Sequence, residues 1–191
     1  MSEPRRLVVG VSGATGIPYA ARLLAFLRDN AAAQNLEPHV VLTKMGRACW
    51  EHEVPATAPD SYGFPIWGAN DFFAPMASGS ARFDGMVIIP CSASCSGRIA
   101  QGVGQDLDTR AADVMLKGKK QLVLVLREAP YSLVHLRNMT AVTEAGAVIL
   151  PASPAFYSGA STVEGLVDTV VCRALDLLGV ENDLMKRWEG R

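Results

Sequence analysis

The sequence predicts a three-layer α/β fold: a parallel sheet with helices on both faces. Two observations carry this. Short runs that are almost wholly apolar recur along the chain, bounded by turn or charged residues, as in strands buried on both faces. Segments of helical period separate them, and strands alternating with helices imply βαβ units with right-handed crossovers. A length of 191 residues, residues 1–191, is expected to form one domain around a single core.

Taken in order, residues 6–12 read as the first strand, and 17–28 as a helix with Ile17, Ala20, Ala21, Leu24 and Leu27 on one stripe. "PHVVLTK" (38–44) is a second strand, followed by a short helical stretch that includes Glu53. Residues 54–82 are rich in Pro, Gly, Ala and Ser and read as one long irregular segment, of a kind more often functional or interfacial than idle. "GMVIIPC" (85–91), "QLVLVLRE" (121–128) and "AVILP" (147–151) are further strands. Helices are expected after "PCSASCSG", over "TRAADVMLKGK", and over "HLRNMTAVTEAG", which closes on Gly146. A last helix over about 162–178 carries Val163, Leu166, Val167, Val170, Val171, Ala174 and Leu178 on one face, with Gly179 placed to stop it.

Composition excludes several functions. With 49% hydrophobic and 19% charged residues the chain is globular rather than disordered. A formal net charge of −1 gives no general electrostatic case for nucleic acid or an anionic membrane. The start, "MSEPRRLVVGVSG", is a poor signal peptide, and no apolar stretch is long enough to span a bilayer, so a cytoplasmic protein is expected. Cys49, Cys91, Cys95 and Cys172 lack metal-ligand spacing and the three histidines are scattered; reduced, mostly buried thiols and no metal are expected.

In a sheet of this kind ligands sit beyond the carboxyl ends of the strands, and here those ends are polar and glycine-rich: "SGATG", "TK", "PCSASCSG", "REAP" and "PASPAFY". Gly10, Gly13 and Gly16 fit neither the dinucleotide fingerprint nor a Walker loop. They allow close backbone approach before a helix start, which suits a mononucleotide better than a dinucleotide; a tight turn without a ligand fits as well. Ser92, Ser94, Cys95 and Ser96 follow a buried strand, where a single serine would suffice as a helix cap and three hydroxyls tilt the reading toward binding. A nucleophilic cysteine would need a base, and no histidine lies close in sequence. Arg127 and Glu128 end a buried strand, where an arginine can grip a phosphate and a carboxylic acid can pass a proton. Arg110, Lys117 and Lys119 are cations of one segment, and Arg173 edges an apolar stripe, where snorkelling is the commoner role. Phe72 and Phe73 suit a core or a subunit contact, and Ser78-Gly79-Ser80 can present its amides to an anion.

"GVSGATG", "NDFFAPMASGS", "PCS", "TRAADVMLK", "LVLREAP", "AVILPASPAFY" and "RALDLLG", with "RW" near the end, occur in the order seen in the UbiX-type flavin prenyltransferases, which the chain resembles over nearly its whole length. The resemblance implies a flavodoxin-like or Rossmann-like fold in a homododecamer, with FMN at a subunit interface. It implies that reduced FMN is prenylated at N5 and C6 by dimethylallyl phosphate, and that the prenylated FMN serves a UbiD-type decarboxylase. On the matching positions, Gly13, Ala14, Thr15, Thr43, Ser92, Ala93, Ser94, Cys95 and Arg127 would contact the cofactor, and Arg110 would help hold a phosphate. Tyr157 and Arg173 would bind dimethylallyl phosphate, with Lys117 and the Ser78–Gly79 turn beside them and Phe72 sheltering the allylic group. Glu128 would be the acid at the allylic phosphate, Glu53 the carboxylate of the later ring-forming stage, and Lys117 a stabiliser of the leaving group. The chain departs from the pattern with Thr15 for Ser, Phe72 for Trp and Cys95 for Thr. A flavin-dependent cysteine decarboxylase and a non-catalytic flavin carrier are the alternatives; "PASPAFY" stands where the former has a different segment.

Overall fold

A computed structural model describes residues 3–188. Six parallel strands form one sheet: β1 (Arg5–Val11), β2 (Leu36–Leu42), β3 (Ile66–Gly68), β4 (Gly85–Cys91), β5 (Gln121–Leu126) and β6 (Val148–Pro151), in the order β3-β2-β1-β4-β5-β6. Six helices connect them or follow them: α1 (Ile17–Asn30), α2 (Lys44–Glu53), α3 (Ala93–Ala100), α4 (Leu107–Lys117), α5 (Leu133–Glu144) and α6 (Val163–Leu177).

The two faces of the sheet bury separate layers, because successive strand side chains point to opposite sides. Leu7, Val9 and Val11 of β1 pack with α1 and α6, including Leu24, Leu27, Val171 and Leu175. Val8 joins the other layer with Ile88, Ala111, Met115 and Leu124, under α3 and α4. With both faces covered, the central strands must be apolar throughout, which is why β4 and β5 read as continuous runs. From β1 the chain moves outward to β3 and then returns to β4 on the other flank of β1. The strand order therefore reverses between β1 and β4, and at such a switch point the loops part and leave a crevice at the strand carboxyl ends.

Several elements differ from the sequence reading. The 54–82 segment holds β3 and three short 3-10 turns; three strand residues among Pro and Gly give too short an alternation to stand out. β2 stops at Leu42, so Thr43 becomes the N-cap of α2, and β5 stops at Leu126, so Arg127 and Glu128 lie beyond the sheet. Val163, assigned to the buried face of the last helix, is exposed, since the first turn of α6 extends past the sheet. α5 buries little beyond Val142 and leaves Leu133, Val134 and Leu136 exposed.

Candidate active site at the strand ends

The loops after β1 and β4 are tied together across the switch point. Ser12, buried just past β1, donates its hydroxyl to the Pro90 carbonyl at 2.9 Å and accepts the Ser92 amide at 2.9 Å. Beyond it the chain passes close to α2: a Cβ on Gly13 would lie 2.4 Å from Met45 Cβ, so the loop needs glycine there. Gly16, at φ 106°, turns the chain into α1 without a side-chain cap. The amides of Gly16 and Ile17 donate instead to Glu53 Oε2, both at 2.9 Å, so the last residue of α2 caps the first turn of α1 with a carboxylate. Thr43 is equally committed: its hydroxyl donates to the Val11 carbonyl at 3.1 Å and accepts the Gly46 amide at 2.9 Å.

Four backbone donors stay open in this rim. The amides of Gly13 and Thr15 after β1, and of Ala93 and Ser94 at the start of α3, have no hydrogen-bond partner among the described residues. Ser92 caps α3 by accepting the Cys95 amide at 3.2 Å, which leaves the first two amides of that helix pointing outward. Two loops on either side of a switch point thus present unpaired donors backed by a helix start, a combination suited to an anion or an electron-rich ring edge.

Arg127 follows β5, the strand beside β4. Its guanidinium makes no ion pair among the described residues, and its positive charge partly offsets the burial that raises the Tyr19 phenol above its ordinary range. Glu128 accepts the Ala129 amide through Oε1 at 3.1 Å. Past β6 a cavity of about 350 Å³ is lined by Pro151, Ser153, Tyr157, Thr169, Arg173 and Met185, so it combines a phenol, a hydroxyl and an arginine with apolar walls. Trp188 meets Tyr157 edge-on, with ring centroids 6.4 Å apart.

The remaining residues singled out in the sequence sit elsewhere. α4 runs back along the sheet, so Lys117 lies at its far end, beside the start of β5. That is the length of a six-residue strand from Tyr157, roughly 20 Å. Lys117 pairs with Asp113 at 3.8 Å, and Arg110 binds Asp113 at 2.9 Å and the Ala77 carbonyl at 3.0 Å. Gly79 packs toward Val114 of the same helix, which puts the Ser78–Gly79 turn on its outer side. Phe72 follows β3 at one edge of the sheet, whereas Tyr157 follows β6 at the other. One chain therefore does not bring Lys117, Ser78, Gly79 or Phe72 to Tyr157 and Arg173. Cys95 is fully buried in the layer under α3, where a hydrogen bond with Cys91 and burial push its thiol well up. Its side chain faces the core, not the rim.

Sequence reasoning passed over Ser12, Tyr19 and Asp108. Asp108 is the least expected, being fully buried near the start of α4 with neither carboxylate oxygen hydrogen-bonded among the described residues. It fills the space a Cβ on Gly10 would need, 2.9 Å from Oδ1, which accounts for the glycine inside β1. Burial, reinforced by Asp106 and opposed by Arg98, raises its carboxyl to about 8. The alternation Leu107, Asp108, Thr109 gave no hint of it, since an acid in a first helical turn ordinarily faces water.

A second hollow, of about 790 Å³, opens at the opposite end of the sheet. Among its charges, Arg6 is paired with Glu37 at 3.3 Å and Lys120 with Asp84 at 3.7 Å. Among the described residues no group of His, Cys, Asp and Glu is placed to hold a metal ion, and no helix is long and apolar enough to cross a membrane.

Comparison with known proteins bears on this site. The flavoprotein family model matches residues 1–175. The flavin prenyltransferase UbiX of Thermoplasma acidophilum is 43% identical over 96% of this chain and 99% of its own. A crystal structure of AnUbiX (PadA1) with FMN and dimethylallyl pyrophosphate superposes with a TM-score of 0.93 at 42% identity, covering 99% of this chain and 100% of that one. The dodecameric FMN-dependent UbiX-like decarboxylase of Escherichia coli O157:H7 gives a TM-score of 0.91 at 41% identity, over 97% of this chain and 100% of that one.

Proposed function

Because the chain belongs to the flavoprotein family, among the UbiX-type flavin prenyltransferases, we propose that its strand ends transfer a dimethylallyl group from dimethylallyl phosphate to N5 and C6 of reduced FMN. The observation that carries the reading is the pairing of two subsites along one rim. Four open amides at the β1/β4 switch point stand beside Arg127, and a cavity holding Tyr157 and Arg173 follows β6.

The fit to FMN rests on the glycine cradle at Gly13, where a side chain would strike Met45, and on the unpaired amides of Gly13, Thr15, Ala93 and Ser94. Ala14, Ser92 and Arg127 complete that rim, and when bound the reduced flavin supplies the nucleophile. Thr43 acts by fixing the turn, since its hydroxyl is spent on Val11 and Gly46. Glu53 holds the start of α1 beside the same rim.

At the other subsite Arg173 and the Tyr157 hydroxyl hold the phosphate. Glu128 delivers a proton to a phosphate oxygen as the allylic C–O bond breaks, so that the leaving group departs with less charge. Positioning supplies much of the remaining rate, because the reaction needs the allylic carbon held against the flavin. Lys117, Phe72 and the Ser78–Gly79 turn, which one chain keeps away from Tyr157, reach the site from neighbouring copies in a homo-oligomer, a dodecamer as in the Escherichia coli relative, and Arg110 helps hold a phosphate. The exposed Leu133, Val134 and Leu136 of α5 suit such packing. We take residues 1–191 as a single flavoprotein domain, working in the cytoplasm and passing prenylated FMN to a UbiD-type decarboxylase. Similarity across the full chain favours this reading over a cysteine decarboxylase or a carrier without activity.

The test is anaerobic incubation with reduced FMN and dimethylallyl phosphate or pyrophosphate, followed by mass spectrometry of the released flavin. Gain of one five-carbon unit, lost in Glu128→Gln, supports the reading. FMN recovered unmodified with both donors overturns it.

A further inference from the structure

Asp176, one turn beyond Arg173 on α6, is claimed almost completely by the segment that follows the helix. Arg187 grips it with two hydrogen bonds, Nη1 to Oδ2 at 2.5 Å and Nη2 to Oδ1 at 2.8 Å. Asn182 Nδ2 adds a third to Oδ1 at 3.0 Å, and Arg187 Nη2 also reaches the Asn182 carbonyl at 3.1 Å. The Cys172 thiol lies 3.9 Å from Oδ2. Arg173, at the i,i+3 spacing that ordinarily favours pairing, stands off at 3.9 Å from Oδ2, beyond hydrogen-bond reach, and lines the Tyr157 cavity.

We propose that Arg187 is a positioning residue for donor binding: by saturating Asp176 it keeps the neighbouring Arg173 free to take the donor's phosphate. Two cations compete for one carboxylate, and the planar fork of Arg187 wins both oxygens at once. Its hydrogen bonds hold the Asp176 carboxyl below the usual carboxylate range, so the acceptor is fully charged at neutral pH and would draw Arg173 in if left open. The pairing serves a second purpose, because the segment that carries Arg187 brings Met185 to the cavity wall and Trp188 to Tyr157.

The inference rests on the Tyr157–Arg173 cavity being the phosphate subsite, and its test separates the two ideas. Arg187→Gln, Asp176→Asn and the double variant are compared for affinity toward dimethylallyl phosphate and for the rate at which phenylglyoxal modifies Arg173, followed by peptide mass spectrometry. Arg187→Gln is expected to weaken donor binding roughly three- to fivefold, the scale of an exposed ion pair formed in competition, and to slow Arg173 modification. The double variant, with no carboxylate left to capture Arg173, is expected to recover both. If Arg187 acted only by fixing the chain end, the double variant would stay as weak as the single one, which overturns the proposal, as does unchanged Arg173 reactivity in Arg187→Gln. Wild-type protein that fails to bind the donor counts against the assigned function, while the modification rates still decide the inference.

Discussion

Replacing Asp108 by Asn should change how stability depends on pH. The carboxyl is fully buried, without a hydrogen bond, and its pKa rises from the ordinary 3.8 to about 8, chiefly through burial and secondarily through Asp106 across the turn. The sign follows from linkage. Between these values the folded chain keeps a proton that the unfolded chain has released, so unfolding releases the proton and stability falls as pH rises. The loss is absent below about pH 4, grows by about 1.4 kcal/mol per pH unit, and is complete above about pH 8. Across pH 5 to 7.5 the wild type therefore loses about 3 kcal/mol that the Asp108→Asn variant, having no titrating group there, keeps. Urea unfolding of both proteins at several pH values measures this, because the contributions of other groups cancel in the difference. The variant should be the more stable form at pH 7.5, with the gap narrowing toward pH 5. Parallel stability profiles would show that Asp108 is hydrated or paired in solution and would refute the reasoning.

Other outcomes follow from the same geometry. Gly46→Ala places a Cβ 2.3 Å from the Val11 carbonyl oxygen, a backbone atom that cannot swing aside, and should cost roughly 3 kcal/mol in thermal unfolding. Cys95, fully buried with its thiol pushed well up, should resist iodoacetamide at pH 8 in the folded protein and react fully once unfolded; rapid labelling in the native state would place it at the surface. Lys117→Ala and Glu128→Gln should each abolish activity alone. If sites draw on two copies, mixed oligomers from equal amounts should regain about a quarter of it, since random mixing reunites intact residues in that share of sites. No recovery on mixing would mean that each chain supplies its own lysine.

The layers were legible because a parallel sheet covered on both faces leaves little choice: only continuous apolar strands fill β4 and β5, and only striped helices cover them. The strand-end loops were legible for a related reason, since Gly13 and Ser92 are required locally by a close approach and a helix start. β3 escaped because its three residues depend on pairing with β2, a contact distant in sequence. Asp108 escaped because its burial is set by α4 lying over Gly10, which no local pattern announces. The positions matched by resemblance named which residues to look for, yet sequence order could not tell that Lys117 and Tyr157 stand at opposite ends of β5. That separation belongs to the direction of α4 rather than to spacing along the chain.

The Ser12 hydroxyl, shared between the Pro90 carbonyl and the Ser92 amide, has a consequence for the order of events. It makes the two sides of the switch-point rim one rigid piece, so a ligand arriving there meets donors already aimed and costs little loop freedom of the protein. The cavity past β6 is walled in part by Met185, from the segment that follows α6 and is tied back to it through Asp176. On the proposed function, a rim preformed in this way would let the flavin settle first and become part of the wall against which the smaller donor is then confined.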